Sequence, residues 1–172
     1  MLIDHIYFWM YGRLGRVNRK LFMVFLETNN LKEEVWRVVF DALPQPAFIV
    51  DEDVRILEFN SQAKKLLGAS PKSSLWRRGG EALHCAYAER LGCGQSKPCQ
   101  NCIIRNSVKD AIGGLDTHRK FFQAQLRGSR GLVVASLFVT ARRLPDAATP
   151  QVLLILENVG ETVRLYNQHL GL

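Results

Sequence analysis

What this chain of 172 residues lacks narrows the field first. It has no internal repeat and no low-complexity tract, so neither a solenoid nor wholesale disorder is expected. It has no glycine-rich phosphate loop, no G-x-S-x-G and no paired-carboxylate constellation, which removes the usual starting points for a hydrolase or a nucleotide enzyme. We therefore expect no enzymatic activity. The first ten residues, "MLIDHIYFWM", are apolar but too short to span a bilayer, and they carry Asp4 and His5. A signal peptide would place its basic residues ahead of the apolar stretch, and here Arg13, Arg16, Arg19 and Lys20 follow it. Secretion and a transmembrane segment are both disfavoured, and a cytoplasmic location is expected. An interfacial helix built on Ile6, Phe8, Trp9 and Met10 competes with a helix that packs on its own domain or on a dimer mate.

The formal charge is +7, yet the basic residues are dispersed through "GRLGRVNRK", "WRRGG", "THRK" and "RGSRG". There is no arginine-rich arm, no C2H2 spacing and no RNP-type motif, so nucleic acid is not the expected partner. Length and composition (47% hydrophobic, 23% charged) fit one globular domain with helical appendages.

Periodicity supplies the element order. Residues 13–27 are compatible with a helix. "LKEEVWRVVFDAL" repeats apolar Leu31, Val35, Val38, Val39 and Ala42 at helical spacing, which predicts one inward face, and Pro44 and Pro46 end it. "AFIVD" and "VRILEFN" read as a strand–turn–strand pair. Asn60 or Ser61 caps a helix that Gly68 closes. "EALHCAYAERLG" reads as a short helix. "CIIRNSVKDAI" is amphipathic, with Ile103, Ile104, Val108 and Ala111/Ile112 inward and Arg105, Lys109 and Asp110 outward. Three β-rich runs, "HRKFFQAQLR", "GLVVASLFVTARRL" and "QVLLILENV", precede a terminal helix in "GETVRLYNQHL". The expected class is α+β, with one antiparallel sheet and helices clustered between its second and third strands.

All four cysteines lie in "HCAYAERLGCGQSKPCQNC", spaced Cys85-x7-Cys93-x5-Cys99-x2-Cys102. A C-x2-C pair is a chelating unit, and Gly92, Gly94 and Pro98 provide irregular backbone on which thiolates can converge. Cys102 would begin the amphipathic helix, where the helix dipole favours a thiolate. In a reducing compartment such a cluster points to metal binding ahead of a structural disulfide. Zinc would staple the loop, and an iron–sulfur cluster would add redox chemistry. The spacing matches neither a zinc ribbon nor a ferredoxin run. A cycling dithiol/disulfide is a further option. His84 is a candidate alternative metal ligand or a hydrogen-bond donor to a metal-bound sulfur, set against a plain surface histidine. Arg77 and Arg78 could steady a negatively charged cluster. His5, His118 and His169 have no partner at ligand spacing.

The run "ALPQPAFIVDEDVRILEFNSQAKKLLG" resembles the opening hairpin and first helix of PAS domains, and "LLILENVGETVRL" is similar to their closing strand and acidic junction with a following helix. The resemblance covers about residues 33–165. It implies a five-stranded antiparallel PAS sheet with short helices between strands two and three, flanked by N- and C-terminal helices. The implied organisation is an N-terminal helical extension (1–30), a PAS domain (31–158) with a four-cysteine insert at 85–102, and a C-terminal signalling helix (159–172). It further implies a sensory module that forms a homodimer and signals to a kinase or regulator in trans. With that fold, the glycine-rich setting favours an iron–sulfur cluster on Cys85, Cys93, Cys99 and Cys102, for redox or oxygen sensing, narrowly over zinc. A zinc-stapled interaction or dimerisation domain and a small-ligand-binding PAS pocket are the alternatives.

Overall fold

The computed structural model describes residues 33–160 apart from 69, 130 and 146–148, together with 169. The apolar N-terminal stretch with His5, the expected helix over 13–27 and most of the expected terminal helix, including 161–168, lie outside the described residues. The chain divides into two compact units, Met1–Phe40 and Asp41–Leu172.

Residues 33–42 are helical (α1), and within the first unit Trp36 stacks on Phe40 with centroids 4.6 Å apart. The predicted inward face is not realised. Val35, Val38 and Val39 are exposed, Val38 by 70%, and Ala42 is exposed too. Phe40 is the buried residue of this helix. The periodicity was sound as a helix signal, but it does not say which surface the apolar face meets, and no described surface covers it.

Five antiparallel strands form one sheet in the order β2-β1-β5-β4-β3. β1 (Ala47–Val50) and β2 (Ile56–Phe59) make the predicted hairpin. All four residues of β1 are buried, as a continuous apolar run in an interior strand should be. β3 (Thr117–Gly128), β4 (Gly131–Arg143) and β5 (Val152–Asn158) follow as three consecutive antiparallel strands, and β5 returns to pair with β1. This is the expected fold class.

Between β2 and β3 lie α2 (Ser61–Leu67), a 3-10 turn at Pro71–Ser74, α3 (Gly79–Ala82), a second 3-10 turn at Lys97–Asn101 and α4 (Ile103–Ile112). Asn60 is the cap that the sequence offered. Its Oδ1 accepts from Ala63 N at 2.9 Å and from Ala47 N at 3.0 Å, while its Nδ2 donates to Gln45 O at 2.9 Å. One buried amide thus ties the start of α2 to the start of β1, so its loss would orphan buried backbone groups as well as a helix end. Val108 and Ala111 of α4 are fully buried in the core formed with Phe48, Val50, Ile56, Val139, Val152 and Leu154.

The stretch around α3 holds both outer strands. Trp76 N donates to Ile56 O, Ile56 N to Arg77 O, and Gly79 N to Val54 O, which pairs it with the free side of β2. A few residues on, Ala86 N donates to Gln125 O and Arg127 N to His84 O, which pairs it with β3. The expected helix over 81–92 therefore stops at Ala82. His84 takes a φ of 54°, incompatible with a continuing helix, and Cys85 bridges Leu126 in extended geometry.

Candidate metal–sulfur site

The site rests on a cavity of about 120 Å³ between the sheet and the short helices. Its sheet side is apolar, with Phe48, Val50, Ile56, Leu154 and Leu156 among its lining residues. The opposite side carries all four predicted sulfur residues, Cys85, Cys93, Cys99 and Cys102, together with Arg105. Each cysteine is delivered differently. Cys85 follows α3 and is fixed by the β3 bridge. Cys93 sits between Gly92 and Gly94, which both take positive φ. Cys99 lies in the second 3-10 turn, and Cys102 is the N-cap residue of α4.

All four are free thiols. Among the described residues no three histidine, cysteine, aspartate or glutamate side chains stand together closely enough to hold one metal ion. The sulfurs share a cavity wall rather than a single point. One tetrahedral ion with bonds near ~2.3 Å needs its four sulfurs in mutual contact, whereas a cluster bridges sulfurs set further apart. Four cysteines lining one cavity supply the thiol donors that zinc and an iron–sulfur cluster both take.

The backbone is shaped around the sulfurs. A Cβ on Gly80 would stand 2.8 Å from Cys93 Sγ and 3.4 Å from Cys85 Cβ, so only glycine allows this approach. Burial pushes the Cys93 thiol above its ordinary pKa, against the Gly80 amide and the Arg105 charge, which favour the thiolate. Burial likewise raises Cys102, reinforced by the neighbouring sulfurs of Cys93 and Cys85 and opposed by the amides of Arg105 and Ile104. Those amides do not close a capping hydrogen bond in this structure, so their effect is that of a nearby helix end. Cys99 is the exception. Burial pulls its pKa upward, but Ser96, whose Oγ lies 3.1 Å from Sγ, the Gly94 amide and Arg105 together bring it below the ordinary value.

One residue needs correction. Arg105, expected to face outward, is half-buried and turns onto Gly94 at the cavity wall. Its Nη1 reaches Asp53 O at 3.5 Å. An i to i+3/i+4 pattern places it at the edge of the apolar face, and its long stem lets the charged head bend inward. His84 is exposed and lines a surface pocket together with Gly80, Glu81, Cys85, Glu89 and Arg127. Its carbonyl, rather than its ring, ties this segment to β3. Arg77 is exposed, while Arg78 bonds Cys93 O at 3.5 Å and Asp53 Oδ2 at 3.3 Å, with its Nε buried and unpartnered among the described residues. His118 lies in β3, away from the cavity lining.

A family model described as "PAS domain" matches residues 34–100. No curated protein matches the chain. Among solved structures, the chain is similar to one in the E. coli DhaR(N)-DhaL complex, at 13% identity and a TM-score of 0.50, covering 81% of this chain and 40% of that one. It is also similar to the PAS domain of BvgS from Bordetella pertussis, at 15% identity and a TM-score of 0.49, covering 82% and 98% of the two chains. A third is the PAS domain of nitrogen regulation protein NR(II) from Vibrio parahaemolyticus, at 13% identity and a TM-score of 0.49, covering 71% and 95%. At such identities the likeness concerns fold. The matched segment and the strand order agree on a PAS-like fold.

Proposed function

We propose that this PAS domain is a sensory module in which Cys85, Cys93, Cys99 and Cys102 hold an iron–sulfur cluster and report redox state or oxygen. The observation that carries this reading is the cavity that Cys85, Cys93, Cys99 and Cys102 all line. When bound, such a cluster exchanges one electron at a time at a potential set by its surroundings. The chain's part is to supply four thiolates, to exclude water with the apolar sheet face and to link the sulfurs to movable structure. Cys102 begins α4, and α4 packs on β4, which pairs with β5. A change at the sulfurs thereby reaches the strand that leads into residues 159–172. Output through a homodimer or a partner kinase or regulator in trans, in the cytoplasm, completes the proposal. The exposed Val35, Val38 and Val39 of α1 suit such an interface. Among the described residues no helix is long and apolar enough to cross a membrane.

Anaerobic purification followed by visible absorption and by iron, sulfide and zinc analysis tests the reading. The expected result is a brown protein that dithionite bleaches and that loses its colour when all four cysteines become serine. A colourless protein with one zinc per chain sinks the sensor reading in favour of a structural staple. A metal-free protein carrying a small apolar ligand points to the third alternative.

A further inference from the structure

We propose that Arg105 is the positioning residue of the four-sulfur site, the cation that balances an anionic metal–sulfur group in the cavity and sets its reduction potential. This rests on the cluster reading above. Four thiolates outweigh the positive charge of an iron–sulfur core, and every electron taken up makes the site more negative. An anionic group against an apolar wall is costly unless a cation or hydrogen-bond donors face it. Among the residues lining this cavity, Arg105 is the charged one.

Its placement is specific. The guanidinium lies over Gly94, where an added Cβ would stand 2.7 Å from Cζ and 2.8 Å from Nη1. Gly94 is the residue after Cys93, and its φ of 89° belongs to the left-handed region. The backbone there leaves open the space that the guanidinium occupies. Asp53 O receives Nη1 from the other side, so the β1–β2 turn holds the head in place. That turn is itself braced: Asp51 Oδ1 accepts from Asp53 N at 2.9 Å and from Arg55 N at 2.8 Å. It also tolerates a φ of 62° at Val54, an uncommon state for a β-branched residue, whose side chain lines the same cavity. Arg78 has the partners that Arg105 lacks: Asp53's carboxylate takes its charge, and it reaches the site through the Cys93 carbonyl. Arg105 has no carboxylate partner among the described residues, and its charge faces Cys93 and Cys99.

The test uses the anaerobically purified chain with its cluster and compares Arg105→Ala, Arg105→Lys and Lys109→Ala by dithionite redox titration and by the rate of iron release to a chelator. Lys109 is exposed one turn further along α4 and controls for net charge. Loss of the cation disfavours the more negative, reduced state. Arg105→Ala is expected to shift the oxidised-to-reduced ratio about tenfold toward oxidised, a fall of about 59 mV for a one-electron couple, and to speed iron release. Arg105→Lys should restore most of both, and Lys109→Ala should change neither. If Arg105→Ala yields no cluster, recovery of the cluster in Arg105→Lys supports the proposal, and failure of both variants overturns it in favour of a packing role. Equal shifts in Arg105→Ala and Lys109→Ala, or no shift in either, also overturn it. A wild-type chain without a cluster removes the underlying reading itself, an outcome distinct from an unmoved potential.

Discussion

The sheet and the cysteine segment are held together by different means. β1, β5 and the centre of β4 are covered on their hydrogen-bonding sides by neighbouring strands and bury Phe48, Val50, Val139, Val152 and Leu154. From His84 to Cys102 the buried apolar residues are Ala88 and Cys93 alone among the described residues. What orders that segment is a short pairing with β3, the Arg78 and Glu81 contacts to the Cys93 backbone, and the shared sulfur cavity. Ladders and packing suffice for the sheet. The segment has a small apolar share, so a bound group would contribute much of its order.

Two substitutions and one labelling experiment probe that contrast. Phe48→Ala strikes the sheet side, where the ring is 1% exposed. It should cost about 4 kcal/mol of global stability, read as a lower denaturant midpoint with unchanged slope. A loss confined to the cysteine segment, with β1 and β5 amides still protected, would break the division drawn here. Gly80→Ala strikes the other side. The new methyl group meets Cys93 Sγ, an overpacking cost of about 2 kcal/mol. On the cluster reading proposed above, bound iron should fall while hydrogen exchange in β1 and β5 stays slow. Retention of full metal content would show that the Gly80 approach is dispensable.

The smallest effect is chemical. In metal-free, reduced protein Cys99 should react with iodoacetamide ahead of Cys93 and Cys102, because its lowered pKa gives it more thiolate at pH 8. The sign follows from the direction of the shifts. A lowered thiol pKa enriches the anion below the ordinary 9.0, and the advantage fades as the pH rises past that value and every thiol ionises. In urea the order should collapse. Equal rates in the folded protein would mean that Ser96 and the Gly94 amide do not act on Cys99.

Much of the sheet was legible because its signals are local. The apolar run of β1, the cap at Asn60, the stop at Gly68 and the period of α4 each follow from neighbours in sequence. The four cysteines were legible as a group in sequence, and all four are among the residues that line one cavity. What escaped depends on contacts distant in sequence. "EALHCAYAERLG" has a helical period, but pairing of His84 and Ala86 with β3 overrides it. Arg105 sits on a polar position of α4, and its inward bend brings the guanidinium against the backbone of Gly94 and the Asp53 carbonyl. The apolar residues of α1 spelled a helix without naming its cover.

The pairing of residues 76–86 with β2 at one end and β3 at the other has a consequence for solubility. An open sheet exposes two unpaired borders, each able to recruit a stranger's strand. Here one short stretch occupies part of both, and it delivers the first of the four cysteines. Release of that stretch would lengthen both open borders together, leaving the sheet more prone to edge-to-edge aggregation.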